Sequence, residues 1–336
     1  MTQTTIPTIR KLLICVRHPF DQWNAPEWFG ERLRREFPQA EVVQLTDYDR
    51  IDKEIVDVEI VIAWSMRPSQ IAAAKKLRWI HSPAAAVHQF MFPELVESDV
   101  VLTNAREVHG SVVAEHVIAL IFALAKKIPG SAQLQTKHIW GQQILWDELP
   151  HIREVAGATL GLVGLGSIGR AVVQSAKALG MRVTAVRENP AKGSDGADAV
   201  FGTGQIGEVF RQADYLVLAA PVTNSTKAIA NAERLALMKS DACLINVSRG
   251  ELVDEAALGA ALREKRIGGA ALDVFAKEPL TADSPLWDMP NLLITPHTAA
   301  LTEKLWERHY AVFAENLRLY LSDRPLLSIV DKRRGY

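Results

Sequence analysis

A strand, a glycine-rich turn and a helix in direct succession, GATLGLVGLGSIGR followed by AVVQSAKALG, narrow what this chain can fold into more than any other segment. Gly164, Gly166 and Gly169 stand in G-x-G-x-x-G spacing, with the apolar run TLGLV before them and a β-branched run, RVTAV, beyond the helix. The first glycine of such a turn permits a tight reversal, the second lets backbone approach a pyrophosphate, and the third lets the helix lie close on the strand. The helix N-terminus then turns its N–H groups toward the phosphates. Ser167 and Ile168, inside the turn, are candidate contacts of the same dinucleotide. The spacing alone is a weak signal; the strand, helix and second strand around it make it a strong one.

The rest of the chain repeats the same grammar. Before the turn come KLLICV, the helix-like APEWFGERLRREF, then EVVQL, EIVIAW, LRWIHS and VVLTN. After it, YLVLAA, ACLINV, GGAALDV and NLLIT follow TLGLVGL and RVTAV as strands, separated by helical segments. Two such series predict two parallel sheets, the second with six strands. A length of 336 residues also predicts about two domains. Ser111 to Lys127 reads as a helix apolar nearly all round and therefore buried, and Thr302 to Leu321 as a last helix returning to the first series. No repeat or low-complexity linker separates the two series, so the boundary is expected within packed elements.

Composition removes other classes. Lys and Arg total 38 against 39 for Asp and Glu, so no bulk charge favours nucleic acid or an anionic membrane. Trp23, Trp28, Trp64 and Trp79 lack a surrounding basic stripe and read as core or wall. The longest apolar run, Val117 to Ala125, is about half of a membrane span. The N-terminal MTQTTIPTIRKLLICVRH has too short an apolar core for a leader. Cys15 and Cys243 sit in apolar runs as buried thiols rather than a disulfide, which points to a reducing compartment and a cytoplasmic location. His109 with His116, and His81 with His88, are each seven residues apart, but no metal-binding motif accompanies them and no metal is expected.

Three further segments, NVSRGELVDEAAL, ALDVFAKEPL and ITPHTAA, follow the glycine turn in that order. Together they resemble the D-isomer-specific 2-hydroxyacid dehydrogenase family, the group of glyoxylate, hydroxypyruvate and phosphoglycerate reductases or dehydrogenases. The likeness extends over nearly the whole chain and is strongest from Val155 to Leu301. It implies an α/β fold of two doubly wound parallel-sheet domains. A Rossmann-type cofactor domain, residues 106–299, is inserted into a flavodoxin-like substrate domain made of residues 1–105 and 300–336, with the active site in the cleft they form. It also implies a homodimer built largely on the cofactor domains, with the Trp140 segment as an arm.

The segments supply what hydride transfer to a 2-keto acid needs. Arg249, after CLINV, offers a fork of donors that can hold a carboxylate and polarise the adjacent ketone. His297, after LLIT, can deliver a proton to the carbonyl oxygen near neutral pH. Glu278 would bond the far ring nitrogen, orient the imidazole and hold it protonated. The resemblance implies these same three roles, and it places Asp273 on the nicotinamide amide, with a plain strand-end charge as the alternative. Pro221, Thr226 and Val247 are further candidate cofactor contacts. The loop HSPAAAVHQF resembles the family loop whose N–H groups grip the substrate carboxylate, through Ala85 and Ala86. Where that loop usually carries glycines this chain has Ala84 and Ala86, which must avoid positive φ or displace the donors. Arg67, after EIVIAW, is either a substrate contact or a solvated charge.

Arg187 ends the strand where an NAD-binding domain usually has an acid for the ribose hydroxyls, and a guanidinium there suits a 2′-phosphate. NADP(H) is therefore expected as the preferred cofactor, with NAD(H) possible; the alternative leaves Arg187 solvated and gives the ribose to Glu188. The expected activity is reduction of small 2-keto acids of the glyoxylate and hydroxypyruvate class. Two rivals stay open: a dinucleotide-sensing corepressor-like binding protein, and a formate or phosphite dehydrogenase of the same superfamily. In formate dehydrogenases the Glu278 position is a Gln, which the carboxylate here argues against.

Overall fold

The computed structural model describes residues 11–335. The first part of the N-terminal stretch read above as too short for a leader lies outside the described residues, as does Tyr336. The chain divides into two compact units, one from the two ends of the sequence (1–108 with 302–336) and one from its middle (109–301).

The end-built unit holds a parallel sheet of β1 (Leu12–Cys15), β2 (Val42–Gln44), β3 (Ile60–Ala63), β4 (Trp79–Ser82) and β5 (Val101–Asn104) in the order β2-β1-β3-β4-β5. β1, β3 and β4 are buried at every residue. Both faces are covered, which is why they read as continuous apolar runs rather than alternating ones. One covering layer is the helix Glu27–Glu36. The other partner on that face is the helix Leu305–Leu321, from the far end of the chain. Phe29 meets the rings of Trp306 and Tyr310 edge-on, and Trp79 stacks on Phe313 with centroids 5.1 Å apart. Trp79 is fully buried, and truncating such a side chain typically costs about 3–5 kcal/mol. Trp23, Trp28 and Trp64 are partly buried against the same cluster. The indole of Trp79 donates to Thr103 Oγ1 at 2.8 Å, and the same hydroxyl is hydrogen-bonded to His81 Nδ1 at 2.9 Å. His81 is wholly buried and its pKa is pushed down to about 3, so the ring stays neutral.

The C-terminal tail is sewn to the edge of this sheet. Val330 N donates to Leu102 O, Asn104 N donates to Ser328 O, and Thr103 bridges Ile329 in antiparallel sense. The buried Asn316 side chain holds the backbone of Leu327 at both N–H and C=O, and the Lys332 ammonium donates to the carbonyls of Leu95, Ser98 and Val100.

The middle unit holds seven parallel strands: β6 (Thr159–Val163), β7 (Arg182–Val186), β8 (Ala199–Phe201), β9 (Tyr215–Leu218), β10 (Cys243–Asn246), β11 (Gly269–Leu272) and β12 (Leu292–Ile294). Their order is β12-β11-β10-β9-β6-β7-β8, so the chain runs outward from β6 and then returns to its other side. This is a Rossmann arrangement with a seventh strand, and its switch point lies between β6 and β9. β8 is the strand not foreseen: three half-buried residues, AVF, pair with β7 alone and follow a glycine-rich loop. The helix Gly110–Ala125 is not buried all round as expected. Val112, Val113, Val117, Leu120 and Ile121 face the core, whereas Ser111, Glu115, Ala119 and Phe122 form an exposed stripe. Two short helices follow, Ile128–Thr136 and Gln142–Asp147, and neither buries a single residue. Cys15 and Cys243 are buried and unpaired, and desolvation pushes their thiols up to about 12 and about 11. Among the described residues no helix is long and apolar enough to cross a membrane.

Candidate active site

Two of the three glycines after β6 are required by close backbone approach, and the third lies in open space. Gly164 has φ +104°, and a Cβ there would stand 2.7 Å from the backbone of Ala219 and Ala220. At Gly169 a Cβ would come within 2.3 Å of the Gly164 carbonyl oxygen and 3.2 Å of Leu162, so only glycine lets the helix Ser167–Ala178 seat on β6. Among the described residues nothing lies within 4 Å of the corresponding position at Gly166, the N-cap residue, which has no side chain of its own to cap the helix. The result is an open, donor-bearing cradle after the central strand, the setting in which a dinucleotide pyrophosphate binds. The residues therefore fit the cofactor that the sequence implies.

The other candidates of this unit follow strand C-termini of the same sheet. Arg187 follows β7, Pro221 and Thr226 follow β9, Val247 and Arg249 follow β10, Asp273 follows β11 and His297 follows β12. Open α/β sheets bind their ligands at this end. The β9 loop is closed on itself, Thr226 Oγ1 donating to Pro221 O at 2.7 Å. After β10, the buried Asn246 side chain donates to Arg249 O at 2.8 Å and accepts from Ser248 N. Arg249 is half-buried, with Nη1 on Ser248 O at 2.6 Å. Burial lowers its pKa, opposed by the charges of Glu251 and Glu278.

His297 and Glu278 are joined. Nδ1 of the imidazole lies 2.6 Å from Glu278 Oε2, while Oε1 accepts from Phe275 N at 2.9 Å. The carboxylate is thus fixed from its own turn and in turn fixes the ring. His297 has φ +53°, uncommon for any residue other than glycine though histidine tolerates it better than most, and two bonds from its N–H hold it: to Asp273 O and to Thr295 O. Arg249 is brought to the same place by Gly250. A Cβ on Gly250 would fall 1.9 Å from the carbonyl carbon of Phe275 and 2.1 Å from Ala276 N, so the two loops touch backbone to backbone. Glu255 completes the seam by accepting from Ala276 N at 2.7 Å.

The sequence pattern described as D-isomer specific 2-hydroxyacid dehydrogenase, NAD binding domain, matches residues 118–299. The chain belongs to that family. A putative 2-hydroxyacid dehydrogenase of Haemophilus influenzae is 36% identical over 267 residues, 76% of this chain and 83% of that protein. The glyoxylate reductase of Korarchaeum cryptofilum is 32% identical over 249 residues, 73% of each. Among solved structures, the D-isomer specific 2-hydroxyacid dehydrogenase of Xanthobacter autotrophicus in complex with NADPH and MES has a TM-score of 0.82 at 28% identity, covering 97% of this chain and 99% of that one. The chain spans 46% and 57% of the length of two D-3-phosphoglycerate dehydrogenases that it also resembles.

Asp273 of this dehydrogenase, expected on the cofactor amide, is 1% exposed and has local work on both oxygens. Oδ1 accepts from Thr295 Oγ1 at 2.6 Å and Thr298 N at 2.9 Å, and Oδ2 from Ala299 N at 3.0 Å. The single proton of Thr295 Oγ1 is spent on Asp273, so His116 Nε2, 3.1 Å from that hydroxyl, is its donor. Burial lowers the pKa of His116, with the Asp273 charge opposing. His116, first weighed as a metal ligand, thus belongs to the scaffold of the His297 turn. Among the described residues no group of three His, Cys, Asp or Glu side chains could hold a metal.

The remaining candidates lie in the end-built unit, past β3 and β4. Ala84 and Ala86 keep φ out of the positive range. Their loop is held without glycine: Ala84 N donates to Ser82 Oγ, Ala105 N donates to Ala84 O, and the Asn104 amide donates to Ala85 O at 2.6 Å. Arg67 is an exposed charge with partners, donating to Asp49 at 2.7 Å and Asp52 at 3.4 Å.

Sequence reasoning missed Gly250, Asn246, Glu255 and Thr295. Gly250 has an ordinary φ, so no turn signal marks it; its need for hydrogen comes from a segment 25 residues further on. Gly250→Ala should part the two loops, lowering kcat for 2-keto acid reduction at least about tenfold while costing about 1–3 kcal/mol of stability. Steady-state rates beside a thermal melt check this, and an unchanged kcat would show that the seam does not position Arg249.

Proposed function

We propose that this dehydrogenase reduces small 2-keto acids of the glyoxylate and hydroxypyruvate class to D-2-hydroxy acids, with NADPH as preferred donor. The reading is carried by the 2.6 Å bond from His297 Nδ1 to the Glu278 carboxylate, beside an arginine whose loop is pressed against the same turn. A bound nicotinamide supplies the hydride. Arg249 exchanges its bond to Ser248 O for the substrate carboxylate and draws electron density from the adjacent carbonyl. In the imidazolium form Nδ1–H donates to Glu278 and Nε2–H holds the second, transferable proton; Nε2 gives it to the carbonyl oxygen as the carbon gains hydride, which leaves the ring neutral with Nδ1–H still on Glu278. In oxidation the same nitrogen takes the proton back. Support for the substrate class comes from the glyoxylate reductase likeness, and for NADPH from Arg187 after β7 and from the NADPH-bound relative.

Rates with NADPH and NADH across glyoxylate, hydroxypyruvate, pyruvate and phenylpyruvate test the reading; no turnover with any of them would refute it. His297→Ala should lower kcat by a factor of about 10² or more, as loss of a general acid does, and near-parental activity would remove His297 from its role.

The enzyme is further proposed to be a cytoplasmic homodimer. Its two free, buried thiols suit a reducing compartment. Trp140 is 93% exposed, and Ile139, Ile144, Trp146 and Leu149 are exposed around it, an apolar surface that a monomer rarely leaves open. Sedimentation should give about twice the chain mass, and Trp140→Asp with Leu149→Asp should bring it to one; a monomeric parent would contradict the assignment.

A further inference from the structure

The loop that follows β7 closes on Arg187. Its Nη1 donates to Gly193 O at 2.8 Å and to Asp195 Oδ2 at 2.8 Å, with 13% and 30% of the two side chains exposed. The loop is shaped for this contact. Asn189 Oδ1 caps the short turn Pro190–Lys192 by accepting from Ala191 N, and then Gly193, Asp195 and Gly196 take φ of +98°, +46° and +90°. Three left-handed residues in four fold the segment back over the guanidinium. Asp195 is the one of them that is not glycine. An L side chain in that region is disfavoured by about 1–2 kcal/mol, so its place is held by what it bonds.

The pairing engages one corner of a five-donor fork. Nε and Nη2 of Arg187 make no hydrogen bond among the described residues, whereas Nη1 carries both contacts. The guanidinium therefore retains geometry for a phosphate, but not an unopposed charge: Asp195 already neutralises it.

We infer that Asp195 sets the strength of discrimination between the 2′-phosphorylated and the unphosphorylated dinucleotide by opposing Arg187. This rests on the reading of Arg187 as the 2′-phosphate site. A carboxylate bonded to the cation that must receive a dianion repels that dianion from a few ångströms away. With only partial screening at such a half-covered site, its removal is worth roughly tenfold in affinity. A ligand with ribose hydroxyls alone carries no such charge and is indifferent to it. The same pair accounts for a guanidinium that lies 13% exposed rather than free on the surface.

The test is binding rather than turnover. The full chain is titrated at fixed ionic strength with NADPH, NADH, adenosine 2′,5′-bisphosphate and 5′-AMP, as the parent and as Asp195→Asn, Asp195→Gly and Arg187→Ala. Asn tolerates the left-handed conformation and keeps an oxygen for Arg187, while Gly keeps the conformation and removes the group, so the two control for folding. Both should tighten NADPH and the 2′,5′-bisphosphate by about tenfold and leave NADH and 5′-AMP within about twofold. Unchanged or weakened binding of the 2′-phosphorylated ligands, or an equal shift for all four, would overturn the inference. Arg187→Ala separates the two layers of the argument. If it weakens NADPH while the Asp195 variants change nothing, only the role of Asp195 falls. If it leaves NADPH binding untouched, the 2′-phosphate reading of Arg187 falls and the inference with it.

Discussion

A carboxylate shut away from water must be ringed by donors, and in this protein the donors around Asp273 come almost entirely from the short segment Thr295–Ala299. That exchange shapes the turn that carries His297. The Asp273 backbone carbonyl takes the N–H of His297 while its side chain takes the two N–H groups that follow, so the peptide plane before the imidazole and the planes after it are set by one residue. His116 and Thr295 stand behind it in a chain of hydrogen bonds, and each step of the chain has only one proton assignment. The left-handed conformation of His297 is the outcome, and Glu278 then has only the ring's rotation left to fix.

The second organising fact is topological. Because the sheet reverses its growth between β6 and β9, the loops after β6, β7, β9, β10, β11 and β12 emerge on one side of it, and the functional groups are distributed one or two to a loop. No single loop carries all of the candidate residues, so the loops must be brought into register with one another. The contact of Gly250 with Phe275 and Ala276 does this between β10 and β11, and Asp273 does it between β11 and β12.

What could be read in advance follows from this division. The glycine turn was legible because its spacing and its flanking strand and helix are contiguous in the sequence, although the close approach of Ala219 and Ala220 to Gly164 is not. The strand-end positions of Arg249 and His297 were legible because each follows an apolar run that reads as a strand. β8 escaped because three half-buried residues at a sheet edge leave no periodicity. Gly250 escaped because its constraint comes from another loop, and the pairing of Arg187 with Asp195 because nothing in ENPAKGSDG announces that three left-handed residues bring the carboxylate back. The alanines at 84 and 86 looked like a conflict only while a left-handed loop was assumed; Asn104 and Ser82 hold it at ordinary dihedrals instead.

Lys332, Asn316 and the Leu305–Leu321 helix also impose an order of events on synthesis. The strands of the end-built unit leave the ribosome first, yet the layer that covers Trp79 and the tail that borders β5 come last. About 190 residues of the middle unit intervene, roughly 10–40 s of translation at ordinary rates. During that interval an aromatic sheet face waits without its cover while the middle unit has all of its own sequence in hand. Closure of that face therefore waits on the C-terminal helix and tail rather than on the strands themselves.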